Sequence, residues 1–393
     1  MYNGRARCNV SDNGAITAFY GDNNYTEDGS NGQVMIYQPK FYYSRITLNA
    51  EGNGANEKIT KEVITLSPDY KPGFKLHPLF INENGEELDY VLLAAFEGSG
   101  YDVSEHQYDA NDSSTIDYTV DKLSSVGGVK PISGLNKTFT LATAETMAQN
   151  RGEGWHITNM AAESANQMLE LVEFGMLNGQ TALERGIVDI VKVNNANCAS
   201  NTGSTVGNGT GYANSTTNII NGNTNNYTNN GKRAISYRGM ENPWGNMWRF
   251  IRGTSIVGNG NNKGGKVYLN NNDTFLQLSS TSGYASYFGN LNSEYNWAFI
   301  PVETGGNSAI PIGDQIWVSS SLNGTNSMVI GGRFDSSDYA GPFAYSCDGN
   351  INISSYAINA RLMFIPTKNN IYESNITKWK NRGWVFKWKI MDE

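Results

Sequence analysis

Residues 241–250 read ENPWGNMWRF, two tryptophans, Trp244 and Trp248, set around the step Gly245-Asn246. Gly and Asn tolerate a left-handed backbone better than other residues. A Gly-Asn pair between large aromatic side chains therefore predicts a tight bend whose flanking rings pack into a core. Three further blocks follow in order: VIGGRF at 329–334, AGPF at 340–343 and INARLMF at 358–364. Each joins branched or aromatic residues to glycine, proline or asparagine, the pattern of short strands separated by turns.

Upstream of this region, residues 33–45 (QVMIYQPKFYYSR) give the first convincing strand, and 71–80 (KPGFKLHPLF) continue the core. Residues 90–97 (YVLLAAFE) form a continuous apolar run of the kind a strand buried on both faces requires. Two helices are predicted next, a short one over 144–150 and a better one over 164–178. In the second, Ser164 and Gln167 have capping-box spacing, Met168, Leu169, Val172 and Met176 share a face, and Gly179 is the stop. Residues 194–231 are almost entirely Asn, Thr, Ser and Gly and read as a long surface insertion. Its Asn214-Ser-Thr and Asn226-Tyr-Thr sequons read as products of that composition, because no secretion signal accompanies them. Nothing along the chain resembles a linker between independent domains. The length of 393 residues admits two or three domains, or one elaborated α+β domain with long insertions.

Composition narrows the function classes. The chain has 43 Gly, and its aromatics, at 11% with 22 Tyr, stand against only 17% charged residues, which suits a loop-rich β surface. A net charge of −8 argues against a nucleic-acid partner and against anionic membrane surfaces. Cys8, Cys198 and Cys347 are scattered and odd in number, so free thiols are expected rather than a disulfide framework or a metal knuckle. The N-terminus has no apolar signal region and no stretch is long and apolar enough to span a membrane, so folding in a cytoplasm without membrane insertion is expected.

The search for catalysis returns little. His77, His106 and His156 are not spaced as a metal pair and none adjoins a nucleophile. His77, in Leu-His-Pro, and His156, in Trp-His-Ile, read as packed or hydrogen-bonded structural residues, and Glu86 and Glu87 as a solvated turn. No phosphate-binding loop, dinucleotide glycine pattern or nucleophile elbow occurs. The expectation is a protein that is not an enzyme, with no cofactor and no obligatory metal.

The ordered blocks resemble the C-type-lectin fold shared by formylglycine-generating enzymes and the variable proteins of diversity-generating retroelements. Residues 244–250 are similar to that family's G-N-V-W-E-W strand, 331–334 to its R-G-G-S-W, and 358–362 to its closing G-F-R or G-A-R-L. The upstream QPKFYYS, FKLHPLF, AAFEGS and NRGEGWHI blocks resemble those of phage tail proteins with this fold. The resemblance implies an α+β C-type-lectin-like fold of the formylglycine-generating-enzyme-like branch, two helices packed on mainly antiparallel sheets with long loop insertions. It covers residues 31–365, between a polar segment 1–30 used for attachment or oligomer contact and an extension 366–393. Trp379, Trp384 and Trp388 in that extension are expected to pack as extra strands or to form a subunit contact, since exposing three tryptophans is costly.

The two branches imply different functions. Formylglycine-generating enzymes use paired late cysteines that bind copper, whereas Cys347 has no second cysteine nearby, so the resemblance favours the retroelement branch. That branch includes trimeric receptor binders of phage tail tips. In it the segment between the double glycine and the closing block carries the variable ligand-binding positions, here 333–359. They would be Arg333, Asp335, Ser337, Asp338, Tyr339, Ala344, Tyr345, Cys347, Asp348, Asn350, Asn352, Ser354 and Tyr356. The resemblance makes Trp244, Gly245, Asn246, Trp248, Gly331, Gly332, Gly341, Pro342, Phe343 and Arg361 the scaffold. Tyrosines with Asp, Asn and Ser supply the rigid area and adaptable hydrogen bonding of a paratope. Read without the resemblance, the same residues are an ordinary polar loop network.

Adenine-directed mutagenesis of AAY codons never produces Lys, Glu, Gln, Met or Trp. Those types make up 64 of the 393 residues, so the 34 positions of 329–362 should hold about five or six, and they hold none. Residues 193–231 are equally free of them for compositional reasons, so the depletion supports the reading without deciding it. The expected partners are a bacterial cell-surface protein or glycan and other virion tail proteins, with a homotrimer at the tail tip assembled in the host cytoplasm. The competing readings are a structural tail or baseplate module with the same fold and, more weakly, an oxidase-like enzyme.

Overall fold

The computed structural model describes residues 1–109, 111–112, 114–191, 199–205, 217–218, 230–260, 264–319 and 322–367. Most of the Asn-rich stretch, Cys198, both sequons and the tryptophan-bearing end lie outside the described residues. The chain is α+β and rich in sheet, with few helices among the described residues.

A six-stranded antiparallel sheet joins the beginning of the chain to residues near 360. Its order is Trp155–Ile157, Leu362–Phe364, Tyr90–Ala94, Gln33–Pro39, Ala6–Val10, Ile16–Phe19. Both faces are covered, as the run at 90–97 requires. Leu92, Ala94, Met35 and Tyr37 pack in one core with Trp155 and Phe364, while Val91, Leu93, Val34 and Ile36 alternate into another. Helix α1, Leu141–Gln149, buries Ala144, Met147 and Ala148 in the first core. Helix α2, Met160–Phe174, inserts Ala162, Ala165 and Leu169 into the second.

The opposite side of α2 faces a mixed seven-stranded sheet. Its order is Pro301–Thr304, Gly283–Phe288, Gln315–Trp317, Tyr345–Ser346, Val329–Ile330, Trp248–Phe250, Ile358–Asn359. Met160 and Met168 meet Ile316, Ile330 and Tyr345 there. Because α2 is enclosed between two sheets, its polar residues must be satisfied by protein. Glu163 forms a two-pronged pair with Arg249, at 3.0 and 2.8 Å. The Gln167 amide donates to the Pro342 carbonyl at 2.7 Å and to the Tyr345 hydroxyl at 3.0 Å. Ser164 donates to the Trp297 carbonyl and lies 3.3 Å from His77 Nε2.

Several expectations are corrected. Residues 33–45 form two strands in different sheets, Gln33–Pro39 and Tyr42–Glu51, because Pro39 lacks the donor to continue a ladder. Residues 71–80 contribute only Lys75–Leu76 and the 3₁₀ turn Pro78–Phe80. Helix α1 begins earlier than predicted, where Thr140 and Thr143 form a reciprocal capping box. Helix α2 also begins earlier, at an Asn159 cap that accepts from Ala162 N at 2.9 Å, and it ends on left-handed Gly175, φ +64°. Ser164 and Gln167 therefore lie inside the helix, Val172 and Met176 are exposed, and Gly179 opens a short helix, Gly179–Ala182.

Two strands of the first thirty residues, Ala6–Val10 and Ile16–Phe19, belong to the six-stranded sheet. Their polarity is partly internal, since buried Arg7 pairs with Glu27 at 3.0 Å and donates to Thr205 and to the Gly239 carbonyl.

Candidate functional site

Adjacent strands of the seven-stranded sheet are in register, and side chains alternate between its faces with a period of two. Trp317 is paired with Ser346, Ser346 with Val329, Val329 with Phe250, and Trp248 with Ile358. That row lies on one face. Ile316, Tyr345, Ile330 and Arg249 form the row that faces α2.

Glycines fix the chain where it leaves this sheet. Gly331, at φ +100°, has no room for a side chain, since a Cβ would stand 2.5 Å from Arg249 Nη1. Gly332, at φ +82°, turns the chain against Ala340. Gly341 leaves space for the buried Asp314 carboxylate, which accepts from Phe343 N at 2.7 Å, and burial holds the Asp314 pKa well above its ordinary value. The Gly245-Asn246 bend forms as the sequence suggests, at φ +75° and +56°. Asn246 N donates to Ile187 O at 2.7 Å, and its carbonyl accepts from Phe334 N at 2.9 Å. Trp244 is fully buried and donates from Nε1 to Arg185 O at 3.0 Å, and buried Arg361 donates to the carbonyl of Asn242 at 2.8 Å. Pro342 and Phe343 lie in the same packed layer, with Phe343 against Phe288 and Phe299.

On the row facing away from α2, where Trp248, Phe250, Val329 and Ile358 belong to the first core, sits a depression of about 410 Å³. Its base is Trp248, Trp317, Val329, Ile353 and Ile358, and its polar rim includes Arg333, Asp335, Ser346 and Asp348, with Tyr339 at the edge. Trp317 meets Trp248 at 5.5 Å and 86°, and Tyr339 at 5.8 Å and 79°, so three rings make a corner. Tyr339 also packs on Tyr284, 5.5 Å away. Arg333 Nε pairs with Asp335 at 2.5 Å, and its guanidinium lies over Tyr356 and Phe334 at 5.8 and 5.9 Å. Asp348 accepts from Ser346 Oγ at 2.5 Å.

The predicted ligand-binding residues divide by burial. Arg333, Asp335, Ser337, Asp338, Tyr339, Asp348, Asn350, Asn352 and Tyr356 are exposed or half-buried. Ala344, Tyr345 and Cys347 are corrected to core: all three are buried, Tyr345 donates to Phe299 O at 2.9 Å, and Cys347 packs in the core beneath the sheet. Burial pushes the Cys347 thiol up, away from thiolate reactivity. Ser354, though half-buried, is used internally, accepting from Phe139 N at 3.0 Å and donating to Lys137 O. Sequence reading missed Trp317, Ser336, Ser346, Ile353 and Ser355 as lining residues, and counted Trp248 only as scaffold. The signal for Trp317 was its place in a short Gln-Ile-Trp strand, whose alternation turns a large ring away from the α2 side of the sheet and onto the edge of the first core.

A larger depression, about 670 Å³, lies at the six-stranded sheet between Asp12, Asp28, Tyr101, Tyr108, Lys122 and Arg151. Asp12 there pairs with Arg151 and Lys122, at 2.5 and 2.8 Å, and Asp28 accepts from Ser30 Oγ at 2.6 Å. His77 is buried, and desolvation lowers its pKa to about 3; His156 Nδ1 lies 2.7 Å from Glu145. Among the described residues no group of three or more His, Cys, Asp or Glu is placed to hold a metal ion, and no helix is long and apolar enough to cross a membrane. No family model matches the chain, and no curated protein is significantly similar to it.

Proposed function

We propose that this chain is a C-type-lectin-like recognition protein, the receptor binder of a phage tail tip, and that it acts by binding rather than catalysis. One observation carries the reading. Arg333, Asp335, Tyr339, Ser346, Asp348 and Ser355, all between Gly331 and Asn359, line one concave face, while glycines and a buried carboxyl group hold the backbone beneath them. Such a rigid support under changeable side chains is what a diversified binding surface needs. The ligand would be a bacterial surface protein or glycan, and the working form in the virion a homotrimer.

A second reading, a structural tail or baseplate module of the same fold, is favoured by a different feature. The hairpin of Tyr42–Glu51 and Lys58–Ser67 exposes Ile46, Leu48 and Val63, with Ile46 directly opposite Val63, an apolar strip suited to a subunit contact. The two readings separate on surface binding by fluorescently labelled protein across a panel of bacterial strains. The recognition reading predicts that at least one strain is labelled and that a Tyr339→Ala/Asp348→Asn double variant loses the signal. Labelling unchanged in that variant, or no labelled strain at all, favours the assembly module.

A further inference from the structure

We infer that the 410 Å³ depression takes an organic cation, an ammonium or guanidinium group, into the corner formed by Trp248, Trp317 and Tyr339. The inference deepens the recognition reading and rests on it only in taking this depression as the contact site. Two observations point to a cation. The first is the aromatic geometry. Rings at 86° and 79° to Trp317 form a corner rather than a flat shelf, so they can surround a compact group but offer no broad open plane for a sugar ring to stack on. Aromatic faces attract cations through their quadrupole, most strongly when the site is partly desolvated.

The second observation is the balance of charge. Of the charged groups lining the depression, Arg333 is neutralised by Asp335. Asp348 is left with a serine hydroxyl, and among the described residues no basic side chain pairs with it. Asp338 stands beside this rim against Tyr284, whose phenol is pushed up to about 12 by burial first and then by the hydrogen bond and charge of Asp338. The surplus is negative, and it disfavours phosphate, sulfate or carboxylate ligands. The face already holds one cation over rings in the same manner, the Arg333 guanidinium against Tyr356 and Phe334.

A lysine or arginine side chain of a protein receptor and a trimethylammonium headgroup share this chemistry. Tryptophan fluorescence of the full chain, titrated with choline, N-acetyl-lysine methylamide and 3,3-dimethyl-1-butanol, tests it. The last is the neutral isostere of choline. The expected result is millimolar binding of at least one cation, about tenfold tighter than the neutral isostere. Asp348→Asn, an exposed change, should weaken it several-fold, and Trp317→Ala should abolish it. Stronger binding of the lysine amide would assign a protein source, and stronger binding of choline a headgroup. Equal binding of the neutral isostere, or no cation binding up to about 50 mM, overturns the inference. Strain labelling lost in Asp348→Asn without any cation binding would sink this inference alone. Cation binding with strain labelling indifferent to Trp317→Ala would sink the recognition reading alone.

Discussion

Tyr345 and Asp348 stand three residues apart and do opposite work. Tyr345 is buried, its hydroxyl held by Gln167 and the Phe299 carbonyl, whereas Asp348 is exposed with a single serine donor. Tyr345→Ala removes a core ring and takes the donor from the buried Phe299 carbonyl, so it should cost about 3–5 kcal/mol. Asp348→Asn should stay within about 0.5 kcal/mol of the parent protein. Urea unfolding of both variants checks this contrast, and a stable Tyr345→Ala protein would contradict the division of the segment into core and face. The segment was legible as a polar, tyrosine-bearing stretch. Which of its residues face out was not, because a strand as short as Tyr345–Ser346 carries too little alternation to show its phase. Only its pairing with Gln315–Trp317 and Val329–Ile330 fixes that phase.

Elements whose local chemistry agrees with their final place were readable, and those set by tertiary partners were not. The buried run Tyr90–Ala94 and the Gly245-Asn246 bend could be read directly, since continuous apolarity and tolerance of positive φ are properties of the residues themselves. The start of α2 could not, because Ser164 and Gln167 mimic a cap while serving as buried partners of Trp297 and Tyr345. The strand order of the seven-stranded sheet, with parallel pairs beside antiparallel ones, arises from contacts distant in sequence. At this scale Gly331 gives a sharp prediction. A side chain there meets Arg249 and strains the backbone, so Gly331→Ala should destabilise by about 1–3 kcal/mol. It should also weaken ligand binding, because the turn launches the whole face. A lowered unfolding midpoint with unchanged binding would mean that the turn supports the fold but does not position the site.

For the whole molecule, the enclosed layers between the sheets couple stability to pH. Burial raises Glu97 to about 7 and Glu170 to about 8 from an ordinary 4.5, and lowers His77 to about 3 from 6.5. A raised acid contributes stability that is complete below about 4.5 and is lost as pH rises through 7 and 8. The depressed histidine works the other way, complete above about 6.5 and lost as pH falls towards 3. Of these three groups only the acids act between 6.5 and 8, so their contribution to stability should decline there, and Glu170→Gln should remove the larger part of that decline in urea titrations at the two pH values. A steeper decline in that variant would contradict the assignment of Glu170 as protonated in the folded state. The central claim, a diversified recognition face, is tested most directly by sequencing this locus codon by codon across a propagated population. Substitutions should concentrate at the accessible positions of 333–356, among them Asp335, Tyr339, Asp348, Asn350 and Asn352, and spare buried Tyr345 and Cys347. A segment as invariant as its flanks would contradict the claim.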